Sequence, residues 1–362
     1  MALPVKAHIA ELAPYQPGKP TWELERELGI ESSLKLASNE NPLGPSPRAV
    51  EAIHEIADSV HIYPDGGAAR LRDALAKRLC VETDQLVFGC GGDEVLGLVA
   101  KVFLGPGDEC LYAWPSFAMY PIYTAGMGAD SVQVPLDDAL VHDLPAMARA
   151  ITDRTRVVIV CNPNNPTGTS VGAAEFDAFV AALPQDVVLL IDEAYCEYAT
   201  RKDFPDALGW VERRPGTLVM RTFSKIYGLA GLRIGYGVAD PELAGWLERA
   251  RHPFNVNLVA EVAALAALED RAHVDRSRAV NQEGIEFLTR ELTALGIDVW
   301  PTDANFLLAR TGPGMDECLL REGVIVRPLG GFGMPDHVRI TIGTRAENER
   351  LLEALLRVRG SA

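Results

Sequence analysis

Short runs of Val, Ile and Leu alternate with amphipathic segments from residue 47 to residue 238. Two of these runs, 157–161 and 187–191, are five residues long and apolar throughout. A strand that is apolar on both sides must be covered on both faces, and helical crossovers between parallel strands supply that cover. The pattern therefore predicts an α/β fold, with a large domain built on a mainly parallel sheet covered by helices. Ligands of such sheets bind at the carboxyl ends of the strands.

The same alternation predicts the positions of the individual elements. Strands are predicted at 85–88, 109–112, 131–134, 156–161, 187–191, 217–221 and 233–238. Helices are predicted at 93–104, 117–125, 144–150, 173–183 and 241–250. Beyond them the pattern changes to two long helices, 257–269 and 273–295, followed by short strands and helices. This change predicts a smaller α+β domain.

Residues 1–45 are rich in proline and have no regular pattern apart from a helix predicted at 22–28. Such a segment can bury little of its own surface, so it is expected to be an irregular arm that lies on another surface or on a partner subunit. We therefore expect an arm with part of the small domain (1–45), a large domain (46–255) and a small domain (256–362) that starts with a long connecting helix.

Charge and cysteine usage restrict the partners. The formal charge is −16, from 34 basic and 50 acidic side chains, and no basic cluster interrupts it. This acidic balance argues against nucleic acid and anionic membranes as binding partners. The first thirty residues lack a basic segment followed by an apolar one, so no secretory signal is expected. The six cysteines form no C-x-x-C pair, which fits reduced thiols in a cytoplasm better than disulfides or a metal site.

One lysine stands in a Gly-rich loop after the strand predicted at 217–221. Lys225 follows Thr222 and Ser224, and Arg233 comes eight residues later. A lysine leaving a buried strand loses solvent, which lowers its pKa and makes its amine able to form a Schiff base with a carbonyl cofactor. The two hydroxyls and the guanidinium are donors of the kind that hold a phosphate. Taken alone, the loop fits a solvated surface lysine equally well.

Other polar residues follow predicted strands. Asp192 comes directly after 187–191, and Tyr195 stands three residues on. A buried carboxylate needs a cationic partner, and a protonated pyridine nitrogen would serve, with Tyr195 donating to a phenolate-like oxygen. Asn165 is flanked by two prolines that would hold its amide rigidly. Ordinary turn or cap roles stay open for Asp192 and Asn165.

Further candidates are a turn, an aromatic ring and two arginines. The Gly-rich turn 89–92 joins a strand to a helix beginning at Asp93, where backbone N–H groups can bind an anion. Phe117, near a helix start, can lie flat on a planar ring or belong to the core. Arg327 and Arg339 end or occupy apolar strands, where a guanidinium needs a carboxylate or phosphate. A structural salt bridge is the competing interpretation for Arg339.

Together these motifs resemble those of the fold-type-I pyridoxal-phosphate-dependent aminotransferases, and within them the histidinol-phosphate aminotransferase family. The resemblance runs nearly end to end, through the motifs at 39–42, 63–66, 164–168, 192–195 and 222–233 and the strand of Arg339. It implies a seven-stranded type of sheet in the large domain and pyridoxal 5′-phosphate as cofactor. It also implies a homodimer, because active sites of this family are shared across a two-fold axis.

The resemblance assigns a role to each candidate. Lys225 would be the Schiff-base lysine, Asp192 the partner of the ring nitrogen, Asn165 and Tyr195 the donors to the ring oxygen, and Phe117 the stacking ring. The phosphate would be held by Gly92, Asp93, Thr222, Ser224, Arg233 and Tyr63 of the partner subunit. The implied substrate residues are Tyr15, Asn41, Arg327 and Arg339, with Arg339 on the α-carboxylate.

The implied reaction is histidinol phosphate plus 2-oxoglutarate to imidazole acetol phosphate plus glutamate, a step of histidine biosynthesis in the cytoplasm. Two residues depart from the family pattern. Phe117 and Phe254 stand where members often carry tyrosine, whose hydroxyls help to bind the substrate phosphate. This departure keeps an aromatic amino acid aminotransferase, acting on phenylalanine with 2-oxoglutarate, as the alternative.

Other functions use some of the same residues. A β-lyase or a decarboxylase of this fold would use the same lysine and aspartate. A non-catalytic pyridoxal-phosphate-binding regulator would need a DNA-binding region, and the chain has no basic segment to supply one. A nicotinamide dehydrogenase is disfavoured because the turn 89–92 has no G-x-G-x-x-G.

Overall fold

The computed structural model describes residues 3–15 and 18–360. The helices are α1 (Ala7–Ala10), α2 (Thr21–Leu28), α3 (Pro47–Ile56), α4 (Ala69–Leu79), α5 (Gly92–Phe103), α6 (Met119–Gly126), α7 (Leu144–Arg149), α8 (Ala173–Ala182), α9 (Ala207–Arg213), α10 (Pro241–Ala250), α11 (Leu258–Glu269), α12 (Arg271–Ala294), α13 (Met315–Arg321) and α14 (Arg345–Gly360). The strands are β1 (Leu34–Leu36), β2 (Leu86–Gly89), β3 (Glu109–Trp114), β4 (Asp130–Pro135), β5 (Thr155–Cys161), β6 (Val188–Asp192), β7 (Thr217–Thr222), β8 (Gly235–Ala239), β9 (Asp298–Val299), β10 (Phe306–Arg310), β11 (Val324–Pro328) and β12 (His337–Thr341).

Seven strands form the larger sheet, in the order β2-β8-β7-β6-β5-β3-β4. Strand β8 runs antiparallel to both of its neighbours, and the other pairs are parallel. The prediction of an α/β fold with a mainly parallel sheet is therefore confirmed. The predicted strand at 233–238 starts two residues too early, because Arg233 has a left-handed φ of 58° and β8 begins only at Gly235.

Apolar side chains of the central strands pack on both faces of this sheet. In β5, Val158 and Val160 belong to a cluster with residues of α3, α4, α8 and α11. Val157 and Ile159 point to the opposite face, into a cluster with α5, α6 and α10. Because successive strand residues alternate between faces, an unbroken apolar run requires cover on both sides. Burying each such side chain contributes about 1.5–3 kcal/mol. We call this sheet with its helices the large lobe.

A five-stranded sheet in the order β1-β11-β12-β10-β9 forms the centre of the small lobe. Its first strand comes from the segment expected to be an irregular arm, and that expectation is wrong at residues 34–36. Leu34 and Leu36 are buried while Lys35 between them is half-buried, and Leu34 pairs in parallel with Val324. Three residues are too few for a period-2 pattern to be recognised, and the strand forms only because β11 offers a free edge.

Helix α12 connects the two lobes. Asp270 caps its N-terminus by accepting a hydrogen bond from the backbone N–H of His273 at 3.1 Å. Val274 in its first turn packs in the core of the large lobe, whereas Phe287 and Leu288 pack under the smaller sheet. No helix in the described part of the chain combines the length and the apolarity that crossing a membrane requires.

The topology brings the carboxyl ends of neighbouring parallel strands to one edge. Cys161 at the end of β5 is level with Asp192 at the end of β6, and Asp192 is level with Met220 in β7. The segments that follow these strands therefore meet at a single edge of the larger sheet. The small lobe lies over the same edge, because its Arg339 donates a hydrogen bond to the side chain of Asn165, which follows β5.

Candidate active site

A cavity of about 210 Å³ lies between the carboxyl edge of the larger sheet and the small lobe. Among the residues that line it are Tyr15, Gly92, Asp93, Phe117, Asn165, Asp192, Tyr195, Thr222, Ser224, Lys225, Arg233, Arg327 and Arg339. The cavity thus collects the residues predicted from the sequence with two exceptions, Asn41 and Tyr63. They come from both lobes and from segments distant in the sequence.

Lys225 lies three residues beyond the end of β7, with its amine at the cavity. Its Nζ donates a hydrogen bond to the backbone carbonyl of Ser38 at 3.3 Å and lies 5.6 Å from the centroid of the Tyr195 ring. Burial lowers the pKa of Lys225 to about 8, and the nearby Arg339 cation acts in the same direction. A side-chain amine with this pKa is partly neutral near physiological pH, which a nucleophile or a base requires.

Asp192 is the last residue of β6 and is only 3% exposed. Its Oδ2 accepts a hydrogen bond from the hydroxyl of Tyr120 at 2.7 Å, and its Oδ1 accepts one from the backbone N–H of Ala194 at 3.1 Å. Burial raises the pKa of Asp192 to about 6, while these two donors favour the ionised form. The carboxylate is therefore held in place and has no cationic partner at hydrogen-bond distance among the described residues.

Tyr120 was missed by the sequence reasoning. It stands three residues after Phe117, in the first turn of α6, and its ring meets that of Phe117 edge to face at 5.6 Å. It thus contacts both the carboxylate of Asp192 and the aromatic ring expected to stack on the cofactor. The sequence does contain a signal for Tyr120, because a tyrosine on the apolar face of a helix needs a hydrogen-bond partner for its hydroxyl.

A second network joins Tyr195 to the small lobe. The Tyr195 hydroxyl accepts hydrogen bonds from the side-chain amides of Asn39 at 2.8 Å and Asn165 at 3.4 Å. Arg339 donates to the side-chain oxygen of Asn165 and to the carbonyl of Ala37. Its Nε is buried and has no partner among the described residues. Burial lowers the pKa of Arg339 to about 10, so its charge persists and one donor stays available for an anion.

A group of hydrogen-bond donors surrounds the start of α5. Gly91, which precedes the helix, has a φ of +82°, and a Cβ built there would lie 2.5 Å from Nη2 of Arg233. Arg233 Nη1 donates to Ser224 Oγ at 3.3 Å, and the backbone N–H of Ser224 donates to Thr222 Oγ1 at 3.0 Å. The free N–H groups of a helix start, a guanidinium and two hydroxyls therefore converge, which is the donor set of a phosphate site.

The other side of the cavity combines aromatic rings with a cation. Arg327, at the end of β11, has its guanidinium carbon 5.9 Å from the centroid of the Tyr15 ring. Phe332 from the small lobe and Ala118 from the large lobe line the same space. Neither Phe332 nor Asn39 was predicted from the sequence, because each reaches the cavity through contacts between the lobes that leave no local pattern.

Asn41 and Tyr63 lie away from the cavity of their own chain. Asn41, expected to bind substrate, is buried, and its amide donates to the Ile226 carbonyl at 2.8 Å and to Ser277 Oγ at 2.9 Å. In its own chain Asn41 holds the segment after the lysine and does not line the cavity, and its role in substrate binding stays a prediction. Tyr63 is 79% exposed and stacks on Phe254 with the ring centroids 4.8 Å apart. Phe254, like Tyr63, does not line the cavity.

A lysine, a buried carboxylate and a group of donors suited to a phosphate meet at one edge of a mainly parallel sheet, which is the arrangement of an enzyme that uses pyridoxal phosphate. The model of the family described as aminotransferase class I and II matches residues 31–355. The chain belongs to this family.

Individual relatives are similar over nearly the whole length. The chain is 49% identical to the histidinol-phosphate aminotransferase of Moorella thermoacetica, over 96% of this chain and 91% of that protein. It is 48% identical to histidinol-phosphate aminotransferase 1 of Nitrosococcus oceani, over 96% of this chain and 95% of that protein. Among solved structures, the histidinol-phosphate aminotransferase of Sinorhizobium meliloti in complex with pyridoxal-5′-phosphate is 28% identical, with a TM-score of 0.92, covering 100% of this chain and 99% of that chain.

Proposed function

We propose that this protein transfers the amino group of histidinol phosphate to 2-oxoglutarate, giving imidazole acetol phosphate and glutamate in histidine biosynthesis. The main support is the identity of 48–49% over nearly the full length to proteins named histidinol-phosphate aminotransferase. The phenylalanine alternative rested on Phe117 and Phe254. It is not favoured by these relatives, and Phe254 does not line the cavity of its own chain.

The residues present fit pyridoxal phosphate. The donors around the start of α5 suit its phosphate, with Arg233 close enough to Gly91 that no side chain would fit between them. On the small-lobe side, the buried Nε of Arg339 still needs an acceptor. We propose that Gly92, Thr222 and Ser224 hold the phosphate together with Arg233, and that Lys225 anchors the cofactor covalently through its amine.

The ring of the cofactor would lie between groups that the two networks already position. Asp192 would hold the proton of the ring nitrogen, because a buried carboxylate is stabilised by a cation at hydrogen-bond distance. Asn165 and Tyr195 would donate to the ring oxygen, and Phe117 would cover one face of the ring. The backbone N–H of Asp93, at the start of α5, would complete the phosphate site.

When bound, pyridoxal phosphate supplies an electron sink that allows the C–H bond next to the substrate amine to break. The chain supplies the base that takes the proton. With a pKa of about 8, roughly a tenth of Lys225 amines are neutral at pH 7. Neutral Nζ can accept the proton of the substrate carbon, and protonated Nζ can pass that proton to the cofactor carbon, which is general base and acid catalysis by one group.

The small lobe would bind the rest of the substrate. Arg339 has the charge and the free donor to hold the α-carboxylate of glutamate and 2-oxoglutarate. Arg327 and Tyr15 would meet the distal part of the substrate. Histidinol phosphate carries its phosphate on the branch that corresponds to the α-carboxylate of glutamate, so the arginines of this lobe would meet a phosphate in one substrate and a carboxylate in the other. A guanidinium suits both anions, which explains how one site could accept two unlike substrates.

We further propose that the protein is a homodimer that works in the cytoplasm. Tyr63 and Phe254 form an exposed aromatic pair that a partner subunit could cover, and the family resemblance assigns Tyr63 to the phosphate of the partner's cofactor. All six cysteines are free, which fits a reducing compartment. Light scattering after gel filtration tests the first statement, and a monomer at micromolar concentration would contradict it.

The test of the reaction is a comparison of amino donors. The purified protein, loaded with pyridoxal phosphate, is given histidinol phosphate or phenylalanine with 2-oxoglutarate, and glutamate is measured. We expect a clear preference for histidinol phosphate, and a strong preference for phenylalanine would overturn the substrate assignment. Pyruvate or CO2 released from amino acid substrates, without glutamate, would indicate a lyase or a decarboxylase instead.

A further inference from the structure

Phe332 of the small lobe lines the cavity, although it is remote from the catalytic motifs in sequence. It ends a short 3₁₀ turn, Gly330–Phe332, in the connection between β11 and β12. The side chain is 8% exposed, and it shares the cavity with Lys225 and Arg327. A large aromatic ring therefore forms part of the wall on the side where the small lobe faces the substrate.

The Phe332 ring packs against the large lobe. It stacks on Trp114, the last residue of β3, with the ring centroids 5.7 Å apart and the planes within 18°. The same cluster includes Ala118, which follows the ring expected to cover the cofactor. Trp114 thus connects Phe332 to the segment before α6, which contains Phe117.

The backbone around Phe332 restricts the orientation of the ring less than its stacking on Trp114 does. Gly330 and Gly331 precede it, and a Cβ built at either would meet nothing within 4 Å. Gly333 follows it with a left-handed φ of +79°. Glycines on both sides give the segment a wide conformational range. The orientation of the ring therefore depends on its packing contacts, which include the stack on Trp114 and the side chains of Leu308 and Leu329 in its own lobe.

The wall opposite a substrate side chain decides which side chains are accepted. Phe332 contributes an apolar aromatic ring to the cavity wall, and Tyr15 with Arg327 adds a second ring and a cation. A substrate that has a flat ring on one branch and an anionic group on the other matches both features, since aromatic pairs attract beyond simple burial and the anion meets a guanidinium. An aliphatic side chain would gain little from Phe332.

We propose that Phe332 contacts the side chain of the amino donor and determines specificity for a flat ring, and that Trp114 is the residue that positions it. Under the proposed function, on which this inference rests, that ring is the imidazole of histidinol phosphate. Glutamate has no ring and depends on the arginines alone.

The two amino donors can be compared in separate half-reactions, followed by the absorbance of the bound cofactor. For Phe332→Leu we expect kcat/KM for histidinol phosphate to fall between about two- and tenfold, the range of an aromatic pair. The value for glutamate should stay within about twofold, which is the spread of non-interacting substitutions. Phe332→Tyr, which keeps a ring, should retain most of the preference. Phe287→Leu, in the core of the same lobe and away from the cavity, is the matched control.

The positioning role of Trp114 is tested by a double-mutant cycle. Trp114→Leu should lower the preference for the aromatic donor as Phe332→Leu does, and the double variant should lose little more than either single one. Additive losses would refute the coupling. Equal losses for both donors in Phe332→Leu would overturn the specificity role while leaving the proposed reaction intact.

The donor series also separates this inference from the proposed function. If the wild-type protein uses phenylalanine but not histidinol phosphate, the substrate assignment fails, and the ratio of phenylalanine to glutamate then tests Phe332. If the wild-type protein uses neither aromatic donor, both proposals are overturned.

Discussion

The hydroxyl of Tyr120 donates to the buried carboxylate of Asp192 at 2.7 Å, and Tyr120→Phe removes this donor while keeping the ring. Asp192 then retains the backbone N–H of Ala194 as its donor among the described residues. A hydrogen bond to a charged group contributes about 1.5–3 kcal/mol, which corresponds to a change of about 10- to 100-fold in proton affinity. The substitution should therefore raise the pKa of Asp192 above its present value of about 6.

The direction of the pH effect follows from the charge that Asp192 must carry. A cationic ring nitrogen binds to the ionised carboxylate, so affinity for pyridoxal phosphate is highest above the pKa of Asp192 and falls as the pH drops through it. Raising that pKa moves the fall to higher pH. At pH 6 the apparent Kd of Tyr120→Phe should be about 5- to 50-fold above that of the wild type, and at pH 9 the two should have converged.

The assay is a titration of the apoprotein with pyridoxal phosphate, followed by tryptophan fluorescence between pH 5.5 and 9. Tyr112→Phe is the matched control: it removes a hydroxyl from a neighbouring buried ring, 5.6 Å from that of Tyr120, that accepts a hydrogen bond from Gln133. The control should follow the wild-type curve. A ratio of Kd values that stays constant across the pH range would refute the reasoning, since a purely structural defect weakens binding at every pH.

Four further predictions concern other parts of the molecule. Lys225→Ala should abolish borohydride trapping of the cofactor on the chain and lower the transamination rate by at least about 100-fold; trapping at wild-type level would exclude Lys225 as the anchor. Arg233→Ala should raise the Kd for pyridoxal phosphate by about 10- to 100-fold, measured by the same fluorescence titration, whereas an unchanged Kd would remove Arg233 from the phosphate site. Co-expressing Lys225→Ala with Tyr63→Ala should restore activity that neither variant has alone, because one site of the mixed dimer is intact; no recovery in purified mixed dimers would argue against shared sites. Leu36→Ala should lower the free energy of unfolding by about 2–5 kcal/mol in a urea titration, whereas the neighbouring Lys35→Ala should change it by less than about 1 kcal/mol.

The sequence predicts the positions of elements and site residues best where a local pattern and the chemistry of the residues coincide. Asp192 directly follows an unbroken apolar run, and Lys225 stands in the loop after the strand predicted at 217–221, so the pattern places both at one sheet edge. The bounds of α10 were predicted to the residue, because Asp240 and Pro241 are a strong helix start and the apolar face ends at Ala250. These features are decided by residues close in sequence, and the sheet topology only collects them.

The remaining features depend on contacts between distant segments. Asn39 and Asn41 stand in one motif, yet Asn39 reaches Tyr195 and Asn41 reaches the backbone of Ile226. Which of the two faces the cavity is decided by the left-handed φ of 56° at Asn39, and Thr341 of the small lobe holds that residue through two hydrogen bonds. No local pattern contains that information. No local pattern predicts the position of Phe332 either, because its ring stacks on Trp114, more than two hundred residues away in the sequence.

Strand β1 has a consequence for how the molecule could be divided. The chain passes from β1 in the small sheet to Asn39 and Asn41, which contact Tyr195 and the segment after the lysine, before it starts the large lobe at α3. A truncated chain that begins near Pro47 and carries the large lobe alone would lose these contacts although its sheet would be complete. The two lobes are therefore not exchangeable modules. A chimera that takes its small lobe from a relative and keeps the segment preceding Pro47 would pair β1 with a foreign β11, and one that replaces both would present a foreign segment to Tyr195 and the lysine loop.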